Sequence, residues 1–157
     1  MRTVKAGLWP IGMPICEANA VTSIQVADQT FIAAPPESAT AVISDRANWR
    51  RWWPDLRLTV VQDRKEQGVR WKVSGPLEGT TELWLERVLD GFVLHYFLHA
   101  EPTGTLPSEP RARGTELARM NHRRRVAGRV MSFEVKGRLE QSRHVGGPAA
   151  GAPGASR

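Results

Sequence analysis

The dipeptide Asp90-Gly91, set inside "TTELWLERVLDGFVLHYFLHA", constrains this chain more than any other feature. Asp-Gly between alternating apolar residues marks a two-residue hairpin turn of type I′, whose central residues both need positive φ. Such a turn fixes the register of its strands and therefore the face of every side chain. The expected register pairs Leu89 with Phe92, Arg87 with Leu94, Leu85 with Tyr96 and Leu83 with Leu98. Paired residues share a face, and this one is apolar apart from Arg87 and the Tyr96 hydroxyl, so it is expected to be the interior. The opposite face pairs Glu86 with His95, Trp84 with Phe97 and Glu82 with His99.

Three more strands are expected around that hairpin. Residues 22–33 alternate, with Ile24, Val26, Thr30 and Ile32 on one side, and Leu56–Asp63 and Val69–Ser74 complete a five-strand set. After the first strand, "PPESATAVISD" reads as a short helix with Pro36 in its first turn. Ser44 or Asp45 then caps a second helix across Arg46 to Trp53, stopped by Pro54. Trp49, Trp52 and Trp53 lie at i, i+3 and i+4 on one face of it. That cluster, with Arg50 and Arg51 inside it, reads either as a cationic-aromatic surface or as the buried end of a fold.

The stretch Glu101–Gly114, with three prolines, separates the strands from a long helix expected over about Thr115 to Arg143. Val126, Val130 and Phe133 form one stripe on that helix, broadened by Ala127, Met131, Val135 and Leu139. Such width predicts docking on a sheet or over a cavity. Residues 144–157 are small and rich in glycine and proline, and a disordered tail is expected there. Residues 1–21 are expected to be a flexible arm or an over-long start. "AGLWPIGMPIC" imitates the apolar run of a signal peptide, but two prolines and two glycines interrupt it.

A chain of 157 residues suits one domain, residues 22–143, with one core. Cys16 stands alone, so an internal disulfide and a cysteine metal cluster are both excluded, which fits a cytoplasmic protein. The net charge of +6 has a local source: residues 111–129 hold seven arginines against one acid, Glu116. His95 and His99 sit at i and i+4 on a strand, roughly 13 Å apart, too far for one ion. Cross-strand pairing with Glu86 and Glu82 explains them better, and neither a metal nor a cofactor is expected. No G-x-S-x-G, G-x-G-x-x-G or P-loop occurs.

A strand, two short helices ending in W-x-x-W-W-P, a run of antiparallel strands and a long closing helix resemble the START-like, or SRPBCC, superfamily. Its bacterial members include the polyketide cyclase/dehydrase and lipid transport group. The resemblance covers residues 22–141 and looks closest to small actinobacterial members. It is carried mainly by "PPESATAVISDRANWRRWWPDL" and "GVRWKVSGPLEGTTELWLERV". It implies an α+β helix-grip fold, a curved antiparallel sheet wrapped on the C-terminal helix with an apolar cavity between them. Typical members have seven strands where five are counted here. A five-stranded grip leaves the cavity more open, or completes itself as a homodimer through an unpaired edge.

The resemblance implies a binding module for a hydrophobic small molecule, lipid or polyketide-like. Trp71, Val73, Leu83, Leu85, Leu94, Tyr96 and Leu98 are expected to line the sheet side, with Met131 and Phe133 on the helix. The Tyr96 hydroxyl and Arg87 are the expected polar anchors, and the best candidates for catalysis if there is any. The first alternative is a polyketide aromatase/cyclase, which needs a general acid or base beside its substrate. The second is RNA or anionic-membrane binding through Arg119, Arg123, Arg124, Arg125 and Arg129.

Overall fold

The computed structural model describes residues 21–150. Cys16, nearly all of the N-terminal arm and the last seven residues lie outside that range. Five strands, β1 (Ile24–Ile32), β2 (Arg57–Asp63), β3 (Gly68–Ser74), β4 (Leu77–Val88) and β5 (Gly91–Pro102), form one antiparallel sheet in the order β1-β5-β4-β3-β2. Two short helices, α1 (Ala39–Ser44) and α2 (Arg46–Trp52), follow β1, and α3 (Pro110–Leu139) closes the domain. This is the expected α+β helix-grip arrangement.

The hairpin forms with a different turn. Val88 pairs with Gly91, so Leu89 and Asp90 make the turn, with Leu89 at a φ of 54°. Gly91 is used elsewhere: a Cβ there would lie 2.2 Å from the Ile32 carbonyl oxygen, so only glycine lets β5 start against the end of β1. The partners become Arg87 with Phe92, Leu85 with Leu94, Leu83 with Tyr96 and Thr81 with Leu98. Each strand position shifts against its partner by two, and an even shift preserves faces. Leu83, Leu85, Leu94, Tyr96 and Leu98 are therefore buried as expected.

Helix α3 starts five residues earlier than expected. Pro110 takes its first position, and the Glu109 carboxylate accepts hydrogen bonds from the Arg111 N–H at 2.9 Å and the Ala112 N–H at 2.5 Å. The helix lies along β1 and satisfies that edge strand with side chains. The Gln25 N–H donates to Asn121 Oδ1 at 2.9 Å, Lys136 Nζ donates to the Phe31 carbonyl at 2.8 Å, and the Ala33 N–H donates to Glu140 Oε1 at 2.6 Å. Arg129 pairs with Asp28 at 2.8 Å in the same row. One sheet edge is thus covered, while β2, bulged between Val60 and Gln62, forms the other.

The face that α3 turns to the sheet takes in one side of the expected stripe, Ala127, Met131, Val135 and Leu139, and leaves the other side out. Arg124, Gly128, Met131, Ser132 and Val135 are buried, whereas Val126, Val130 and Phe133 point to solvent. Gly128 decides this orientation. A Cβ at that position would meet the Tyr96 ring at 2.3 Å, so bare helix backbone rests on the aromatic ring. The segment expected to be disordered from residue 144 includes a docked turn, in which Ala149 is buried and the Ala150 N–H donates to the Ala33 carbonyl at 2.8 Å.

Gly128→Ala is expected to destabilise the domain by about 1–3 kcal/mol through overpacking, read from denaturant unfolding. Gly137→Ala on the same helix, where nothing lies within 4 Å, is expected to stabilise it by about 0.5–1 kcal/mol.

Candidate functional site

The tryptophan cluster answers to the helix that carries it. The Asp45 carboxylate accepts a hydrogen bond from the Ala47 N–H at 2.8 Å and starts α2, which then delivers Trp49, Trp52 and Trp53 to the interior. Arg50 and Arg51 stay exposed, and Arg51 pairs with Glu134 of α3. Trp49 stacks edge-on to Trp71 of β3 at 5.2 Å between centroids, Trp53 meets Trp71 at 6.2 Å, and Trp53 lies nearly parallel to Tyr96 at 5.8 Å. Four rings from three elements therefore share one space. Burying rings of this size contributes a few kcal/mol each, which explains why the cluster is interior rather than a surface grip.

The indole N–H groups of this cluster are unequally served. Trp49 donates to the Ile43 carbonyl at 2.5 Å and Trp52 donates to Glu134 Oε2 at 3.0 Å. The indole nitrogens of Trp53 and Trp71 are buried and have no hydrogen-bond partner among the described residues. A buried donor left unpaired costs about 1–3 kcal/mol, so two on touching rings call for an explanation.

Tyr96 completes the polar side of this space. Burial pushes its hydroxyl up to about 12, offset in part by the nearby Thr81 hydroxyl, the Arg124 charge and the Trp53 indole. The Trp53 N–H lies close enough to favour the phenolate without meeting hydrogen-bond geometry. Thr81 itself donates to the Phe97 carbonyl at 2.9 Å. Arg124, buried on the sheet side of α3, makes a two-point contact with Asp55 at 2.9 and 2.5 Å, just past α2. That hydrogen-bonded guanidinium holds the Asp55 carboxyl below its ordinary range.

Of the residues expected from the sequence, Trp71, Val73, Leu83, Leu85, Leu94, Tyr96, Leu98 and Met131 come together in one buried cluster. Two do not join it. Arg87 lies next to the hairpin tip, pairs with Glu37 and is 61% exposed along its side chain, so it anchors nothing in the interior. Phe133 lies on the outer side of α3, where the Gly128 contact places it. Trp53, Thr81 and Arg124 were missed as interior polar groups, and Asp55 as the half-exposed partner of Arg124. The signal for Arg124 was its place seven residues before Met131 and seven after Leu117, on one face of the helix.

The interior is least covered toward β2. Val60 pairs with Trp71, so it faces the same side of the sheet, and it remains 41% exposed. On the outer face, His95 bonds Glu86 at 2.9 Å and stacks between Trp84 and Phe97 at 4.8 and 6.0 Å. The expected Glu86–His95 contact exists, reached diagonally, because the shifted register sets His95 opposite Trp84.

No protein-family model matches the chain, and no curated protein sequence matches it. Solved structures do. The Aha1 dimer from Colwellia psychrerythraea is 14% identical, with a TM-score of 0.50 over 77% of this chain and 99% of that one. The Polyketide_cyc-like protein Cgl2372 from Corynebacterium glutamicum is 18% identical, with a TM-score of 0.48 over 76% of this chain and 96% of that one. The likeness to the Aha1 structure is one of fold, and it agrees with the START-like resemblance carried by the sequence. Among the described residues no helix is long and apolar enough to cross a membrane.

Asp55→Asn leaves the buried Arg124 without its charge partner. The expected loss at neutral pH is about 1–2 kcal/mol, less than for a fully enclosed pair because Asp55 is half exposed. Since the folded pKa of Asp55 lies below its unfolded value, the pair's contribution is whole above about pH 4 and vanishes as pH falls through the folded value. Urea unfolding of both proteins across that range is expected to show the gap closing in acid.

Proposed function

We propose that this domain binds a hydrophobic small molecule carrying an acceptor oxygen, such as a polyketide-like or other aromatic ketone, in the space bordered by Trp53, Trp71 and Tyr96. The observation that carries the reading is the pair of buried indole N–H groups on Trp53 and Trp71 without partners. Both are donors only, so the chemistry that suits them is an acceptor such as a carbonyl oxygen. The Tyr96 hydroxyl, protonated at any physiological pH, adds a third group able to donate. The surrounding walls, Val69, Val73, Leu83 and Leu94, are apolar, which fits a site where a few polar groups orient a greasy ligand.

The entrance in this reading lies beside β2, where Val60 leaves the inner face open. The contact of Gly128 with Tyr96 leaves no room for a ligand under the middle of α3, so in this reading the molecule approaches from the α2 and β3 side, where the fully buried Trp53 and Trp71 rings have to part to admit it. A cyclase would need a group that exchanges a proton near neutral pH. Tyr96 is pushed too high and Asp55 is held ionised by Arg124, so binding is favoured over turnover.

Aromatic ketones are expected to raise the melting temperature of the protein, and hydrocarbons of matched shape to raise it less. Tyr96→Phe, which keeps the ring, is expected to weaken the ketone by about tenfold and the hydrocarbon hardly at all. The reading fails if no member of such a panel shifts the melting temperature and native mass spectrometry of freshly purified protein shows only the bare chain.

A further inference from the structure

The outer side of α3 carries a second feature that the interior does not use. Val126, Val130 and Phe133 are 48%, 59% and 55% exposed and stand at i, i+4 and i+7, one continuous stripe on the helix. Arginines surround it. At about 100° per residue, Arg123 and Arg129 fall on opposite flanks of the stripe, with Arg119 and His122 continuing it toward the helix start.

These cations are not all committed within the domain. Arg119, Arg124 and Arg129 bind Glu116, Asp55 and Asp28. Arg111, Arg113, Arg123 and Arg125 are exposed, and their guanidinium groups make no hydrogen bond or ion pair among the described residues. The two acids of α3 are both taken, Glu116 by Arg119 and Glu134 by Arg51 and Arg138. The Arg129 guanidinium also lies over the Phe133 ring at 5.7 Å, joining charge to apolar surface.

We infer that this face of α3 docks on an anionic lipid bilayer, with Val126, Val130 and Phe133 entering the headgroup boundary while Arg123, Arg125 and their neighbours engage lipid phosphates. Charge complementarity selects the partner, because an exposed apolar stripe between uncompensated arginines matches a surface that is greasy below and negative above. Nucleic acid offers nothing to Val126 and Val130, and Phe133 is the stripe's single aromatic ring, short of the row of rings on which successive bases stack. A protein partner is disfavoured by size: the stripe runs only about 10 Å along the helix, short of what a stable interface covers. Arg124 takes no part, since it is buried against Asp55.

The test is flotation of the full chain with vesicles of phosphatidylcholine alone and of phosphatidylcholine mixed with phosphatidylglycerol. Binding is expected only with phosphatidylglycerol, and it should weaken as salt is raised. Each arginine reversed is expected to cost about fivefold or more. Val130→Asp/Phe133→Asp and Arg123→Glu/Arg125→Glu are each expected to abolish flotation while melting at the wild-type temperature, because all four side chains are exposed. The inference is overturned if anionic vesicles do not bind, if neutral vesicles bind as well, or if either double variant still floats. It is equally overturned if polyuridylate binds through the arginines with Val130→Asp/Phe133→Asp silent, or if these side chains instead join two copies, seen as a dimer that Phe133→Asp disperses.

Discussion

Close approach of helix backbone to an aromatic ring organises this molecule. Gly128 carries no side chain, so α3 rests directly on Tyr96, and this one contact sets the rotation of the whole helix. With that rotation fixed, Asn121, Arg129, Lys136 and Glu140 fall in line along β1 and satisfy its otherwise bare edge. Arg124 is turned inward, where only its two-point contact with Asp55 makes a buried guanidinium tolerable. The same rotation sends Val126, Val130 and Phe133 outward. The interior polar set and the exterior stripe are two results of one missing Cβ.

The sheet was legible in the sequence because its information is two-fold periodic. The turn after β4 was misplaced by one residue, yet faces survived, since the altered register moved partners by two. What hid the true turn was the competing use of Gly91, which is spent on approaching Ile32 rather than on a positive φ, leaving Leu89 to adopt one. Local turn chemistry lost to a tertiary contact. Alternation in β1 and the start of α2 had no such competitor and read correctly, with Asp45 rather than Ser44, the other cap offered, accepting the Ala47 N–H.

The long helix was harder, and the reason is chemical. Its docking face runs through Leu117, Arg124, Gly128, Met131 and Val135, and the arginine and glycine break the apolar pattern that periodicity relies on. Periodicity therefore joins the exposed Val126, Val130 and Phe133 to Met131 and Val135 in one broad stripe, of which only the second part docks. Arg87 was assigned inward by strand alternation alone, whereas its nearness to the turn lets it reach Glu37 in solvent. Eight of the ten expected lining residues are buried together, but the polar character of the interior was sought in the wrong place. It lies in two indole N–H groups, a kind of donor that sequence patterns count only as hydrophobic bulk.

The central claim is that Trp53 and Trp71 hold their N–H groups in reserve for an acceptor brought by a ligand. The chain's six tryptophans give six indole cross-peaks in a nitrogen-proton correlation spectrum, each assignable by substitution. Titration with an aromatic ketone is predicted to move the Trp53 and Trp71 indole protons downfield as they gain an acceptor, while those of Trp49 and Trp52, already bonded to Ile43 and Glu134, hold still. Saturating ketone that leaves the Trp53 and Trp71 signals where they began would contradict the account.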